Sequence, residues 1–293
     1  MKDIFSTAEV AGLLAVNDST VKRWSDSGAL ECIRTKGKHR RFSLASVMKF
    51  VQENNIQMPE LASRIFKSPE LHAQLIVGNN NPLVEEIRTS AMDGDVDRCL
   101  TALRIGLTSK PGLLGFYART VFPPLIRIGK EWEAGLISVD QEHLASGTLR
   151  EALVLVRPDL HYKESNGFTA LCASFEGELH EIVLYCVSTY LTVQGWTVYH
   201  LGADVPTRDL AAAISRGEPD LVILSAAIIF DEWKFQNDIA VVIEPAARRA
   251  GAKLCVGGPR LRSRFGRKLK ADFVLESVEE IAAVSDSINL VRR

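Results

Sequence analysis

The chain has 293 residues, 46 % of them hydrophobic and 24 % charged, and its 35 Lys+Arg nearly cancel its 36 Asp+Glu to a net charge of −1. That length suits two or three domains rather than one. The composition excludes a mainly disordered, collagen-like or low-complexity chain, and the total charge by itself suggests no nucleic-acid partner.

The charge is unevenly spread. Residues 1–56 carry nine Lys/Arg against six Asp/Glu, a net of +3, while the remainder carries 26 against 30, a net of −4. Arg34, Lys36, Lys38, Arg40 and Arg41 fall within eight residues that hold no acid. A small basic module on a mildly acidic body points to nucleic acid.

That module reads as a winged helix-turn-helix. Ser6-Thr7-Ala8-Glu9 has capping-box spacing, and the helix it opens carries Val10, Leu13 and Leu14 on one face and ends near Ala15. Asn17-Asp18 offers a turn and a new N-cap. A second helix follows over Ser19–Ser27, with Val21 and Trp24 inward, Ser19, Thr20, Lys22 and Arg23 outward, and Gly28 at its end. Two short helices with a tight turn present the second one to the DNA major groove. Ile33–Thr35 and His39–Phe42 flank Lys36-Gly37-Lys38, which fits a β-hairpin whose basic residues lie against phosphates. Ser43 then caps a third helix with Leu44, Val47, Met48 and Val51 inward.

Residues 3–53 resemble the MerR/excisionase-like winged-helix family, on the segments STAEVAGLL, STVKRWSDSGAL and IRTKGKHRRFS. The resemblance implies that Ser19, Thr20, Lys22 and Arg23 face the major groove. It makes Lys38, His39, Arg40 and Arg41 the wing, within a hairpin that also holds Arg34 and Lys36. Phosphate contacts of this kind give salt-sensitive affinity.

Asn54-Asn55, Pro59, Pro69 and Asn79–Pro82 mark a linker over 57–82, with one short helix near Glu60–Phe66. No long heptad helix follows the basic module. From Leu83 the pattern turns helical. Leu83, Ile87 and Ala91 make one stripe, and Val96, Leu100, Leu103 and Leu107 a second. Leu113–Gly129 is a third helix, kinked or broken at Pro123-Pro124, and Ser138–Val156 a fourth. Four such helices with short connections predict a four-helix bundle over 83–162.

Residues 163–293 alternate strands and helices. The strands are Phe168–Ser174, Thr197–Leu201, Asp220–Ala226, Lys253–Val256 and Asp272–Leu275; the helices are Glu181–Gln194, Arg208–Arg216, Gln236–Ala250 and Val278–Val291. This predicts a doubly wound, Rossmann-like parallel sheet, which binds ligands beyond the carboxyl ends of its strands. Glu178-Leu179-His180, Gly202–Pro206, Ser225 and Gly257-Gly258 all fall there. His180 has a carboxylate two residues before it, an arrangement that orients a metal-binding imidazole.

The α/β half resembles cobalamin-binding domains of the methionine-synthase type, on acid-x-His after strand one, Ser after strand three and Gly-Gly after strand four. With the bundle's Trp132 and Glu142-His143 and the order of the parts, the chain resembles the CarH/LitR-like light-responsive regulators. That resemblance implies His180 binding cobalt from below, oriented by Glu178, with Ser225, Gly257 and Gly258 around the cofactor. Trp132, Glu142 and His143 then lie over an upper 5′-deoxyadenosyl ligand. It implies a repressor that binds a double-stranded operator as a homo-oligomer, dimer or tetramer, with adenosylcobalamin, and lets go in light.

Two positions depart from that pattern. Val183 stands where the loop motif has Gly, adding bulk where the nucleotide tail passes. Glu133 stands where many light-responsive members carry His after the bundle Trp, and a carboxylate suits cobalt less well there. These departures leave an alternative: a regulator of the same fold that has lost cobalamin, or senses another tetrapyrrole or a protein partner. An enzyme needs a substrate domain, and none is left over once the parts are assigned.

The other readings are brief. The longest apolar stretch, Leu221–Phe230, is about half of the roughly 20 residues of a membrane span. The start Met1-Lys2-Asp3-Ile4 has no signal-peptide core, and five scattered cysteines fit neither disulfides nor structural zinc. A cytoplasmic protein with no membrane partner is expected. A second basic run, Arg260, Arg262, Arg264, Arg267, Lys268 and Lys270, is a solvated helix face, a subunit contact or a second DNA contact.

Overall fold

A computed structural model describes residues 4–14, 16–35, 37, 39–54, 81–108 and 112–291. The predicted linker helix near 60–66, Lys36 and Lys38 lie outside these. Two compact units emerge: Met1–Gly112 with Arg119–Val156, and Leu113–Ala118 with Arg157–Arg293.

The N-terminal module runs β1 (Ile4–Phe5), α1 (Thr7–Leu13), α2 (Asp18–Asp26), β2 (Ile33–Arg34), β3 (Arg40–Ser43) and α3 (Leu44–Glu53). The strands form an antiparallel sheet ordered β1-β3-β2. Phe5, Val10, Val21, Leu30, Phe42, Val47 and Phe50 make its core, and Trp24 packs on Phe50 at 4.9 Å between ring centroids. Gly28 takes φ +76° just past α2, where a side chain is disfavoured, and so ends that helix. Ser43 Oγ accepts the Ser46 amide at 3.0 Å, as its predicted capping role requires.

Four helical stretches follow: α4 (Asn81–Met92); α5 (Val96–Thr108); α6 (Gly112–Phe116) continued by a π turn (Tyr117–Val121) and α7 (Phe122–Glu133); and α8 (Val139–Val156). Leu83, Ile87 and Ala91 are fully buried, as their spacing requires, with Leu103, Ile128, Leu149 and Leu153. Pro123-Pro124 does not break the third helix. The prolines fall in the first turn of α7, after a π turn that has already left the i→i−4 ladder.

The α/β unit consists of β4 (Thr169–Ser174), α9 (Ile182–Val193), β5 (Thr197–Gly202), α10 (Thr207–Gly217), β6 (Leu221–Ser225), α11 (Glu232–Asp238), a π segment (Ile239–Ile243), α12 (Glu244–Arg249), β7 (Lys253–Gly257), α13 (Leu261–Phe265), β8 (Phe273–Leu275) and α14 (Ile281–Val291). All five strands are parallel, in the order β5-β4-β6-β7-β8. The order reverses at β4, so the crevice between the loops leaving β4 and β6 is the switch point where such sheets take ligands.

Strand alternation sorts the two faces. Leu171, Ala173, Phe175, Val222, Leu224, Leu254 and Val256 pack with Leu210, Phe235, Ile243 and Phe265 in one core. Cys172, Ser174, Ser225, Cys255 and Gly257 therefore point to the opposite face. There α9 lies over β4 and β5, and Trp196 Nε1 donates to Ser285 Oγ of α14 at 3.1 Å.

One sequence expectation changes: the predicted helix Gln236–Ala250 starts at Glu232 and contains the π segment. In the second basic run Arg260, Arg262, Arg264, Lys268 and Lys270 are exposed, as a solvated face requires, although a short helix holds only part of the run. Leu261, Phe265 and Leu269 anchor it in the core. Arg262 pairs with Glu280 and donates to Val274 O at 2.7 Å, and Arg264 Nε lies 2.6 Å from Glu232.

Candidate functional site

The loop between β4 and α9 leaves the sheet at the switch point and carries Glu178 and His180. Glu178 is 1 % exposed. Its Oε1 accepts the His180 amide at 2.7 Å and stands 2.6 Å from His180 Nδ1; its Oε2 accepts the Ile228 amide at 2.5 Å. Burial opposes ionisation of Glu178, but the hydrogen bonds from His180 and the two amides outweigh it and hold the carboxyl below its ordinary range. A carboxylate only accepts, so Nδ1 carries the ring proton. Nε2 is then the nitrogen with a lone pair, on an imidazole 56 % exposed.

Neighbouring loops hold this one in place. Gly177 donates to Asp204 Oδ1 at 2.7 Å, and the Asp204 amide donates to Glu178 O at 2.9 Å. Asp204 takes φ +49° to do so. Through Ile228, the Glu178 carboxylate also ties the loop after β6, so three rim loops meet at this one residue, two at its carboxylate and one at its backbone carbonyl.

Ser174, Ser225 and Gly257 end β4, β6 and β7 in direct register. A Cβ on Gly257 would meet nothing within 4 Å, so it borders open space. Gly258 differs: a Cβ there would stand 2.1 Å from Ala226 O, so the backbone demands glycine. Val183, on the first turn of α9, is exposed. Sequence reasoning named Glu178, His180, the Gly202–Pro206 segment with Asp204, Ser225 and the two glycines. It missed the Ile228 amide and Ser174, which only strand register and loop contacts bring in.

In the helical stretches, Trp132 sits in the last turn of α7 and Glu142 and His143 in the first turns of α8. The short Ala134–Ser138 connection brings them to one end. Glu142 Oε1 accepts Ser146 Oγ at 2.5 Å, His143 Nε2 lies 3.7 Å from Glu142 Oε2, and Trp132 and His143 are exposed. Glu133 is exposed beside Trp132.

In the N-terminal module, Ser19, Lys22 and Arg23 are exposed on α2 and Thr20 is partly so. His39 is exposed, and Arg41 partly. Arg34 and Arg40 converge instead on Asp26 Oδ1 at the end of α2, at 2.8 and 2.6 Å. The Arg40 hydrogen bond first, then the charges of both arginines, hold Asp26 below the ordinary carboxyl range. This clip braces the β2–β3 hairpin on α2.

Comparison with known proteins matches three segments of the chain. Residues 168–284 match the B12 binding domain family, residues 83–156 match a second family model of the same description, and residues 4–55 match a helix-turn-helix domain. Monomethylamine corrinoid protein 2 of Methanosarcina acetivorans is 22 % identical over 213 residues, covering 71 % of this chain and 98 % of the relative. Its Methanosarcina barkeri counterpart is 24 % identical over 215 residues, covering 70 % and 97 %. The solved structure of a Methanosarcina barkeri monomethylamine corrinoid protein superposes with a TM-score of 0.58 at 19 % identity, covering 71 % of this chain and 99 % of that one.

The residues present fit the group that these matches imply. His180 offers an oriented imidazole, and Gly257 leaves room at the end of β7, one strand beyond the switch point. Among the described residues no three His, Cys, Asp or Glu gather as metal ligands. A metal here would therefore bring most of its own ligands, as cobalt in a corrin does. The matches and the site agree on a cobalamin-binding protein that also carries a helix-turn-helix domain. No helix among the described residues is long and apolar enough to cross a membrane.

Proposed function

We propose that this cobalamin-binding, helix-turn-helix chain is not an enzyme but a DNA-binding transcriptional regulator, a repressor whose oligomerisation and operator binding are set by a corrinoid. One observation carries the reading. The chain that holds the Glu178–His180 pair on a corrinoid-type rim also presents Ser19, Lys22 and Arg23 outward on the second helix of a helix-turn-helix.

In this reading α2 enters the major groove, and the exposed cations on it and on the β2–β3 hairpin contact phosphates. The Asp26 clip with Arg34 and Arg40 sets the hairpin's angle to α2, while Arg41 and His39 reach outward. At the rim, Glu178 holds the proton on Nδ1, and His180 would hold the corrinoid's metal through Nε2. Ser225, Gly257 and Gly258 shape the space beside it. Trp132, Glu142 and His143, on the helical stretches, would be the residues that meet an upper ligand. Adenosylcobalamin supplies a light-sensitive cobalt–carbon bond when bound. A dimer or tetramer places several α2 helices on successive half-sites, and a ligand that favours that assembly raises operator occupancy.

The test is gel filtration of the full chain in darkness and after illumination, with and without adenosylcobalamin. Absorbance is read on each peak, and a DNA mobility shift is run on the same samples. A larger, coloured, DNA-binding species in darkness that shrinks in light supports the whole reading. A coloured species whose size and DNA binding ignore light removes the photoreceptor part. A colourless protein that still binds DNA favours a regulator that no longer uses cobalamin, the outcome to which the bulk of Val183 would contribute. The names of the relatives favour a second reading, a corrinoid carrier for a methyl-transfer partner. A coloured protein without DNA binding at low salt would support it.

A further inference from the structure

On the side of α9 toward β5, where the Tyr185 ring meets His200 edge-on at 6.2 Å, two buried hydroxyls one helical turn apart stand without a hydrogen-bond partner. They are Tyr185 Oη and Thr189 Oγ1. Thr189 is 3 % exposed. Its neighbours show what a hydroxyl in this helix otherwise does. Ser188 Oγ donates to Leu184 O at 2.8 Å and Thr192 Oγ1 to Ser188 O at 2.9 Å, each closing on the turn before. Thr189 closes no such bond. Buried polar groups are nearly always paired, so two adjacent orphans call for an explanation.

A cation stands beside them. The Arg157 guanidinium lies over the Tyr185 ring, 5.8 Å from its centroid. Arg157 is half-buried and pairs with no carboxylate among the described residues. Its backbone carbonyl accepts Tyr162 Oη at 3.1 Å, which braces the turn Arg157–Asp159. Burial pushes the Tyr185 phenol up; Arg157 and Thr189 are near enough to pull it the other way, although neither closes a hydrogen bond to it. Tyr162 and His200 are exposed, so the group lies just beneath the surface. All of these residues belong to the one compact unit that includes Arg157–Arg293.

A guanidinium only donates, and each hydroxyl has a proton to give. What the three groups lack in common is an acceptor. A carboxylate supplies two oxygens and is well matched to an arginine. Charge selects among oxyanions. Arg157 brings one positive charge, which balances one negative charge, whereas a phosphate dianion would keep a second charge half-buried and unpaired. We propose that Arg157, Tyr185 and Thr189 form a binding site for a small carboxylate, separate from the His180 rim. The bound carboxylate ties the first two turns of α9 to the turn at Arg157–Asp159.

The test melts the full chain, free of corrinoid, at pH 7 while sodium acetate replaces sodium chloride at constant ionic strength. A second series uses sodium phosphate. The wild-type melting temperature is expected to rise with acetate along a saturating curve, from which the affinity is read. Salts that act only by exclusion from the surface give no saturation. Tyr185→Phe and Thr189→Val should each weaken acetate binding about tenfold or more, the size of one hydrogen bond to a charged acceptor. Their melting temperatures in chloride should stay level or rise, because an orphan group has been removed. Arg157→Gln should abolish the saturating rise. A wild type with no saturating response overturns the proposal. So does a response that Tyr185→Phe and Thr189→Val both leave intact, or one that phosphate matches. The two hydroxyl variants keep the shape of their side chains, so the outcome does not hang on whether Arg157→Gln folds.

Discussion

Glu178→Gln keeps the shape of the side chain but removes its charge and one of its two acceptors. The wild-type carboxylate takes three donors: the His180 amide, His180 Nδ1 and the Ile228 amide. A glutamine amide has one oxygen, so its NH2 group must face a donor. The less costly orientation keeps the oxygen on His180 and turns NH2 toward Ile228. That leaves the Ile228 N–H, on a residue 38 % exposed, facing another donor at the wholly buried Glu178 side chain. A hydrogen bond to a charged acceptor is worth about 1.5–3 kcal/mol. The expected loss is about 2–3 kcal/mol, a fall in the melting temperature on the order of 10 °C for a unit of this size. The assay is a thermal melt, with hydrogen exchange followed in the peptide that contains Ile228. The expected pattern is a lower melting temperature with protection lost at that amide. Corrinoid affinity should fall about 10–100-fold as His180 loses its orienting partner. A variant that melts within about 1 kcal/mol of wild type, with the Ile228 amide still protected, would refute the reasoning.

Three further outcomes are expected. Gly257→Ala should leave the melting temperature nearly unchanged, because its Cβ meets open space, and should weaken cobalamin binding; Gly258→Ala, driven onto Ala226 O, should cost about 1–3 kcal/mol in a melt. Asp272 is partly buried, which opposes its ionisation, but Lys253 and the Leu254 amide hold its carboxyl below the ordinary 3.8. A depressed carboxyl adds stability above its unfolded value and loses it as pH falls through its folded one. Urea midpoints of wild type and Asp272→Asn should therefore differ by a constant amount from pH 7 to about pH 4 and converge below that. Lys22→Ala, on the exposed face of α2, should weaken DNA binding evenly across sequences and lower the salt slope by about one, measured by fluorescence anisotropy over a salt series.

Much of the α/β unit was legible because its strands and helices are written in local periodicity. A buried parallel strand such as Leu221–Ser225 is an apolar run, and the helix Thr207–Gly217 keeps its spacing. The Glu178–His180 pair was legible for the same reason, with both partners inside one loop. What escaped depends on residues far apart in the chain. Ile228 donates through its backbone, which no side-chain pattern reveals. Ser174 becomes noticeable only when register sets it beside Ser225. The run from Arg260 to Lys270 holds no acid of its own, and its partners Glu232 and Glu280 come from elements before and after it. Pro123-Pro124 read as a break because the usual rule assumes a regular ladder, and a π turn had already relaxed it.

The cysteines have a practical consequence. Cys99, Cys172, Cys186 and Cys255 are fully buried, and burial pushes all four thiols up, Cys99 and Cys172 to about 12. At neutral pH these thiols are protonated and out of reach, so an alkylating dye has little to attack in the folded chain. Cys32 is the exception, partly exposed beside Ser25 at the edge of the helix-turn-helix core. The natural sequence thus comes ready for single-site labelling. A maleimide fluorophore placed on Cys32 would report from the DNA-reading module while every other sulfur stays silent.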